Sequence, residues 1–311
     1  MPWQSVAKFR AQDIAVQPDD RSLFFPKTTV FGIGLLGGSF ARALRQHGLT
    51  STIIGCGRTE ANLRRAKDLG IIDFWTTEPS DAVLDADLVL LATPVPTFSA
   101  LVSGFRSSLK RGCLVTDVGS VKGSLVADIE GLMPEGACYV GSHPIAGGEA
   151  SGCEASRADL FEGARCILTP TAATDSAALA VVAALWQALG METVQMDPER
   201  HDEIYAMVSH FPHVAAYALV NTVAETDALA LAFAGSGFRD ATRIALSPPE
   251  LWQGIVLANR SAVLKSARQF RRELDRVIAA LELQDATALE VLFSRAQMAR
   301  RALPDRSRDR E

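Results

Sequence analysis

Over its first two thirds the chain alternates short apolar runs with amphipathic ones, and then it turns almost wholly helical. From Lys27, TTVFGIG reads as a strand that leads into LLGGSFARALRQHG, which has helix character. TIIGCGR, ADLVLLATPV, CLVTDVG, ACYVGSHP, ARCILTPT and METVQMD read as further strands. EANLRRAKDLG, TFSALVSGFRSSL and residues 176–189 read as helices. Strands apolar on both faces, separated by helices, predict a mostly parallel sheet covered on both sides. After Met196 the period changes. Ile204, Met207, Val208, Phe211 and Ala215 are spaced as one apolar stripe of a helix. From there to about Leu303 the main interruptions are GSGFRDATR and Pro248–Pro249. The expected organisation is an extension over 1–26, an α/β domain over 27–196, a helical domain over 197–303 and a charged tail over 304–311, with a cleft between the two domains.

Composition narrows the partners. The net charge is −5 across 311 residues, with no clustered positive field of the kind nucleic acid or an anionic membrane requires. The Arg-rich end is interleaved with Asp305, Asp309 and Glu311 and reads as a solvated tail. No apolar run approaches the roughly 18 residues needed to span a bilayer, and the start carries charges where a signal peptide would have an apolar core. A cytoplasmic location is expected. The five cysteines, without C-x-x-C spacing, fit free thiols in a reducing compartment better than a disulfide framework or zinc site.

Gly32-Ile33-Gly34-Leu35-Leu36-Gly37 fits G-x-G-x-x-G and falls between a strand and a helix, where backbone amides can receive a pyrophosphate. An NAD site normally offers a carboxylate about 20 residues on, for the ribose 2′-hydroxyl. Here the second strand ends in Gly57-Arg58-Thr59, with no carboxylate from Ile53 through Thr59. A glycine leaves room and an arginine fork suits a 2′-phosphate, so NADP is expected over NAD. The opposing reading makes Arg58 a surface cation and gives the acidic role to Glu60.

Ligands of open α/β sheets bind beyond the carboxyl ends of the strands. Three loops should project there: ATPVPT (92–97), with Thr93 and Pro94 forming a rigid lip against the cofactor; DVGSVKG (117–123), with Asp117, Ser120 and Lys122; and SHPIAGGEASG, with His143. An imidazole beside a hydride acceptor suits alcohol oxidation, because a base must take the hydroxyl proton as hydride leaves carbon. Ser120 is expected to orient His143. A packed structural histidine is the bland reading. His210 and His213 are three apart, expected on one side of a kinked helix, and suit hydrogen bonding to a substrate, or one of them simply packs in the core. No third ligand of suitable spacing accompanies them, so no metal is expected. Arg243 in GFRDATR reads as a carboxylate clamp and Arg239 as a helix-end charge.

Taken together, GIGLLGGS, DVGSVKG, HPIAGGEASG, HDEIYAMVSHFPH and GFRDATRIA make the chain resemble the prephenate/arogenate dehydrogenases of tyrosine biosynthesis, from about Thr28 to Asn259. The resemblance implies a Rossmann-type, doubly wound α/β domain followed by an all-α domain that builds a homodimer, and oxidative decarboxylation of a cyclohexadienol. It also implies His143 as the catalytic histidine with Ser120 as its partner, Arg243 on the ring carboxylate, and His213, with His210, near the substrate side chain. Glu149 falls on an acidic gating position and Trp252 on a pocket-lining one. Gly57-Arg58 is similar to the NADP-type members, which favours arogenate, or arogenate and prephenate both. Neither a fused chorismate mutase nor an ACT domain fits residues 260–311, so any tyrosine feedback is expected to act at the active site. A relative acting on 4-amino-4-deoxyprephenate and a non-catalytic NADP sensor are the alternatives. A β-hydroxyacid dehydrogenase would want a lysine between Asp197 and Leu246, where the sequence has none.

Overall fold

A computed structural model describes residues 23–148 and 150–303. The elements run β1 (Phe25–Phe31), α1 (Leu35–Gln46), β2 (Thr50–Cys56), α2 (Glu60–Asp68), β3 (Phe74–Thr76), α3 (Pro79–Ala82), β4 (Leu88–Leu91), α4 (Phe98–Phe105), β5 (Leu114–Asp117), α5 (Gly123–Leu132), β6 (Cys138–Val140), β7 (Ser142–Pro144), β8 (Arg165–Leu168), α6 (Ser176–Ala188) and β9 (Glu192–Gln195). Helices follow: α7 (Pro198–Tyr205), α8 (Phe211–Thr226), α9 (Ser236–Thr242), α10 (Pro249–Ala258), α11 (Arg260–Glu282) and α12 (Ala286–Arg301).

Six strands form a wholly parallel sheet in the order β3-β2-β1-β4-β5-β6, so the connection reverses direction between β1 and β4. Because strand residues alternate sides, β1 feeds two cores. Val30 packs with Phe40 and Leu44 of α1 and with Trp186 of α6. Phe31 packs with Phe98 and Phe105 of α4 and with Ile129 of α5. Phe31 and Phe105 stack at 4.9 Å, and Trp186 lies 5.3 Å from both Phe40 and Phe161. This is the doubly wound plan expected from the alternation of strands and helices.

Several expectations change. ACYVGSHP is not one strand: it breaks at Gly141, and β7 leaves the parallel sheet to pair antiparallel with β8 in a second sheet, β7-β8-β9. A side chain at Gly141 would meet Thr169 Oγ1 at 2.6 Å and Val126 at 2.9 Å, so the crossing needs glycine. The first strand starts at Phe25, which is buried, inside what reads as an extension over 1–26; residues 1–22 lie outside the described ones, as do 304–311. One compact unit runs to Asp202 and takes in Leu246–Ala258, and the other holds Glu203–Ala245 and Asn259 onward. The first unit therefore reaches past Met196 and includes α10.

In the helical unit the expected stripe is interrupted. Pro212 has no N–H for the carbonyl four residues back, and its ring crowds that carbonyl. The segment Ala206–His210 is a five-residue π-helix, a local widening of the ladder. Register shifts, and Met207 and Val208 are exposed within the chain, at 53% and 65%. Phe211 keeps an inward role against Phe270, 5.2 Å away. α11 and α12 are joined by Glu273, which accepts from Arg276 and Arg295, each at 2.8 Å.

The five thiols are free, and Cys56, Cys113, Cys153 and Cys166 are buried. Burial pushes Cys56 and Cys113 up to about 12, and it raises Cys138, Cys153 and Cys166 as well.

Candidate active site

The glycine loop sits at the reversal between β1 and β4, where an open α/β sheet leaves a crevice. Gly32 has φ +88° and lies so close to β4's exit that a Cβ would come 2.6 Å from Ala92 O. Gly37 lets α1 press on the strand: a Cβ there would come 2.1 Å from Gly32 O. Gly34, the N-cap of α1, faces open space, and a methyl group added there would meet nothing within 4 Å. Two glycines thus serve close packing and the third leaves room over the amides of Leu35, Leu36 and Gly37, at the positive end of a twelve-residue helix. That combination fits a dinucleotide pyrophosphate. The lip beside it is braced: Thr93 and Thr97 hydroxyls are bonded at 2.8 Å, and Thr97 Oγ1 donates to Pro94 O at 2.7 Å. At the end of β2, Arg58 and Thr59 are exposed. Glu60 accepts from Arg64 at 3.0 Å.

His143 is held more firmly than a loop histidine would be. It is the central residue of β7, opposite Ile167 of β8, rather than a member of the loop expected from its proline and glycines. Its Nδ1 lies 2.8 Å from His201 Nε2, and His201 Nδ1 lies 2.8 Å from Asp202 Oδ1. A carboxylate only accepts, so His201 carries its proton on Nδ1 and donates it to Asp202. Burial lowers the proton affinity of His201, with the Asp202 hydrogen bond opposing and the Lys122 charge reinforcing that shift. Neutral His201 then accepts at Nε2 from His143 Nδ1–H, which leaves His143 Nε2 as the basic nitrogen. Neither His201 nor Asp202 stood out in the sequence beyond a helix start. An adjacent His-Asp pair inside the HDEI motif was the available signal.

Asp202 also caps α5, accepting from Lys122 N and Gly123 N at 2.8 Å each, donors that a helix start leaves unpaired. Ser120 lies half-buried in the turn between Asp117 and Lys122. That turn is closed by a fully buried ion pair, in which Lys122 Nζ donates to Asp117 Oδ2. Asp117 further accepts from Gly119 N at 2.8 Å, and from Tyr139 Oη and Ser142 N at 2.9 Å each. Burial, with the Asp117 charge second, raises the Tyr139 phenol and keeps it a donor.

The histidine pair of the helical unit separates. His210, the last residue of the π-helix, is fully buried, and Asn259 Nδ2 donates to its Nδ1 at 3.0 Å. His213 is half-buried, and its Nδ1 donates to Ser209 O at 2.9 Å. Its proton affinity is lowered by burial first, with the Ser209 bond opposing and Arg243 reinforcing. His213 and the exposed Arg243 therefore share a neighbourhood, whereas His210 is buried and bonded to Asn259. Arg239 Nε donates to Ala234 O at 3.3 Å, a helix-end role. Trp252 sits on α10 and packs into the core of the first unit, while Gly254 of the same helix approaches Pro96. Glu149 lies outside the described residues.

Residues 40–195 match the family model for the nucleotide-binding domain of prephenate dehydrogenase, and residues 197–295 match that for its dimerization domain. The chain is 36% identical to cyclohexadienyl dehydrogenase of Zymomonas mobilis, over 90% of this chain and 96% of that one. It is also 36% identical to prephenate dehydrogenase of Bacillus subtilis, over 89% and 76%. The crystal structure of prephenate dehydrogenase from A. aeolicus in complex with hydroxyphenyl propionate and NAD+ superposes with a TM-score of 0.83 at 38% identity, over 90% and 99%. Synechocystis arogenate dehydrogenase superposes with a TM-score of 0.74 at 30% identity, over 88% and 98%.

Proposed function

The chain belongs to the prephenate dehydrogenase family, and on that premise we propose that His143 is its catalytic base and NADP its hydride acceptor. It is a pyridine-nucleotide-dependent oxidoreductase of oxidative decarboxylation in tyrosine biosynthesis. The proposed substrate is arogenate, or arogenate and prephenate both. The observation that carries the reading is the hydrogen-bonded series His143–His201–Asp202, which supports a base directed through Nε2.

Bound nicotinamide supplies the hydride sink. His143 Nε2 takes the hydroxyl proton as the carbinol C–H bond gives up hydride. The C–C bond to the ring carboxylate then breaks, CO2 departs, and its electron pair completes an aromatic phenolate that takes a proton back. Ser120 orients the hydroxyl and the imidazole. Arg243 holds the ring carboxylate and His213 the side-chain end, with Glu149 and Trp252 assigned to the pocket. The burial of His210 and its bond to Asn259 favour a supporting role for it. Gly32, Gly34 and Gly37, with the amides of Leu35 and Leu36, take the pyrophosphate, and Thr93 and Pro94 flank it. For NADP the support is Arg58 and Thr59 at the end of β2, exposed and next to Gly57, while Glu60 is engaged by Arg64.

Homodimerisation through the helical unit belongs to the same proposal. Its exposed apolar side chains, Phe233 at 87%, Leu229 at 75% and Val291 at 62%, fit a surface that a second copy covers. No described helix is long and apolar enough to cross a membrane, and a cytoplasmic location is part of the reading.

Incubation with NADP or NAD plus arogenate or prephenate, followed at 340 nm and by CO2 release, tests it. Nicotinamide reduction matched mole for mole by CO2, faster with NADP, is expected. Dinucleotide binding without turnover of either acid would leave a sensor instead.

A further inference from the structure

The contacts around His143 form a closed ring. Asp117 Oδ1 accepts from the amide of Ser142 at 2.9 Å, and Ser142 precedes His143. His143 reaches His201, and His201 reaches Asp202, at 2.8 Å each. Asp202 Oδ1 accepts from the amide of Lys122 at 2.8 Å, and Lys122 Nζ returns to Asp117. The covalent turn from Asp117 to Lys122 carries Ser120 across the ring's closure.

We propose that the buried Asp117–Lys122 pair is the positioning element of this active site, holding the two imidazoles together and keeping the His143 proton on Nδ1. The inference rests on His143 being the base. A pair with no exposed surface is a poor device for stability alone, since well-packed apolar side chains of similar volume usually do as well. Here the pair fixes a neighbour of each imidazole: the Asp117 carboxylate accepts from Ser142 N, and the Lys122 side chain pins the residue whose backbone amide donates to Asp202. The lysine charge also acts on the proton equilibrium. Among the titratable groups facing His201 are Asp202, His143, Lys122 and Asp117; Lys122 opposes its protonation more strongly than Asp117 favours it. Protonated His201 would donate from Nε2, push the His143 proton to its own Nε2, and so block the basic nitrogen.

Lys122→Met alone strands a buried carboxylate, so the informative variant is Asp117→Asn/Lys122→Met, which removes both charges together. Three quantities are read: kcat and KM for whichever acid the wild type turns over, the acid limb of the kcat profile, and the 15N shifts of the His143 imidazole without substrate. In the double variant kcat is expected to fall about tenfold to a hundredfold, the cost of a misplaced group, with KM within about twofold. The acid limb should move to higher pH and the His143 signals toward a tautomer mixture. A folded double variant with wild-type kcat and tautomer overturns the proposal, and so does a wild-type His143 protonated on Nε2. Absence of turnover by the wild type would sink the assigned activity instead, and the substrate-free tautomer separates the two failures.

Discussion

Gly34→Ala and Gly37→Ala should fail in opposite ways. At Gly34 the backbone is extended, φ −103° and ψ −153°, and an added methyl meets nothing within 4 Å. The protein loses only the advantage of glycine over alanine at an N-cap, about 1 kcal/mol, or a Tm lower by about 2–4 °C for a domain of this size. The pyrophosphate, however, would have to vacate that same space. Dinucleotide Kd should rise at least about tenfold, which is ~1.4 kcal/mol. At Gly37 the methyl lands 2.1 Å from Gly32 O and 3.1 Å from both Ala92 Cβ and Val30 Cγ1. Backbone must move, on the order of 3 kcal/mol at the upper end of overpacking. Better helix propensity returns about 1 kcal/mol. The net of about 2 kcal/mol should lower Tm by about 4–8 °C, roughly twice the Gly34 effect. Calorimetric melting and fluorescence titration of NADPH read both quantities. Dinucleotide binding by Gly34→Ala within about twofold of wild type, or a Gly37→Ala variant that melts no lower than Gly34→Ala, refutes these roles for the two glycines.

Further perturbations address the remaining roles. Arg58→Ala should raise KM for NADP while leaving that for NAD nearly unchanged; an unaltered ratio removes Arg58 as the discriminator. His143→Asn should chiefly lower kcat and Arg243→Gln chiefly raise KM in steady-state assays, and the reverse pattern would overturn both roles. His201 and His213 are pushed by burial below their ordinary value of 6.5. Below that value the unfolded chain binds more protons than the folded one, so stability is full above it and is lost as pH falls through the folded values. The urea midpoint should drop between about pH 7.5 and about pH 5.5, less steeply in His201→Gln; an equal drop in the variant would remove His201 as a source.

The alternation of strand and helix runs was readable because a parallel sheet buries both strand faces, and strands such as LVLL of β4 are then apolar throughout. What the sequence does not carry depends on pairing in space. β3 is three residues, FWT, too short for any period to show. The division of ACYVGSHP between two sheets turns on the crowding at Gly141 by Thr169 and Val126, which are distant in sequence. The stripe after Met196 assumes 3.6 residues per turn, and a π-helix before Pro212 breaks that count. His143 was legible as a polar outlier at a strand end. His201 was not, because a histidine and an aspartate at a helix start look like solvated polar residues until a buried partner is seen beside them.

Chemical durability follows from the state of the cysteines. Peroxide and disulfide exchange act on thiolate, and Cys56 and Cys113, pushed to about 12, hold almost none near neutrality. Cys138 comes partway to the surface, and its thiol is raised too. While the fold stays closed, an oxidant finds little thiolate here to attack, and the exposed thioethers of Met207 and Met298 are left as the softer targets.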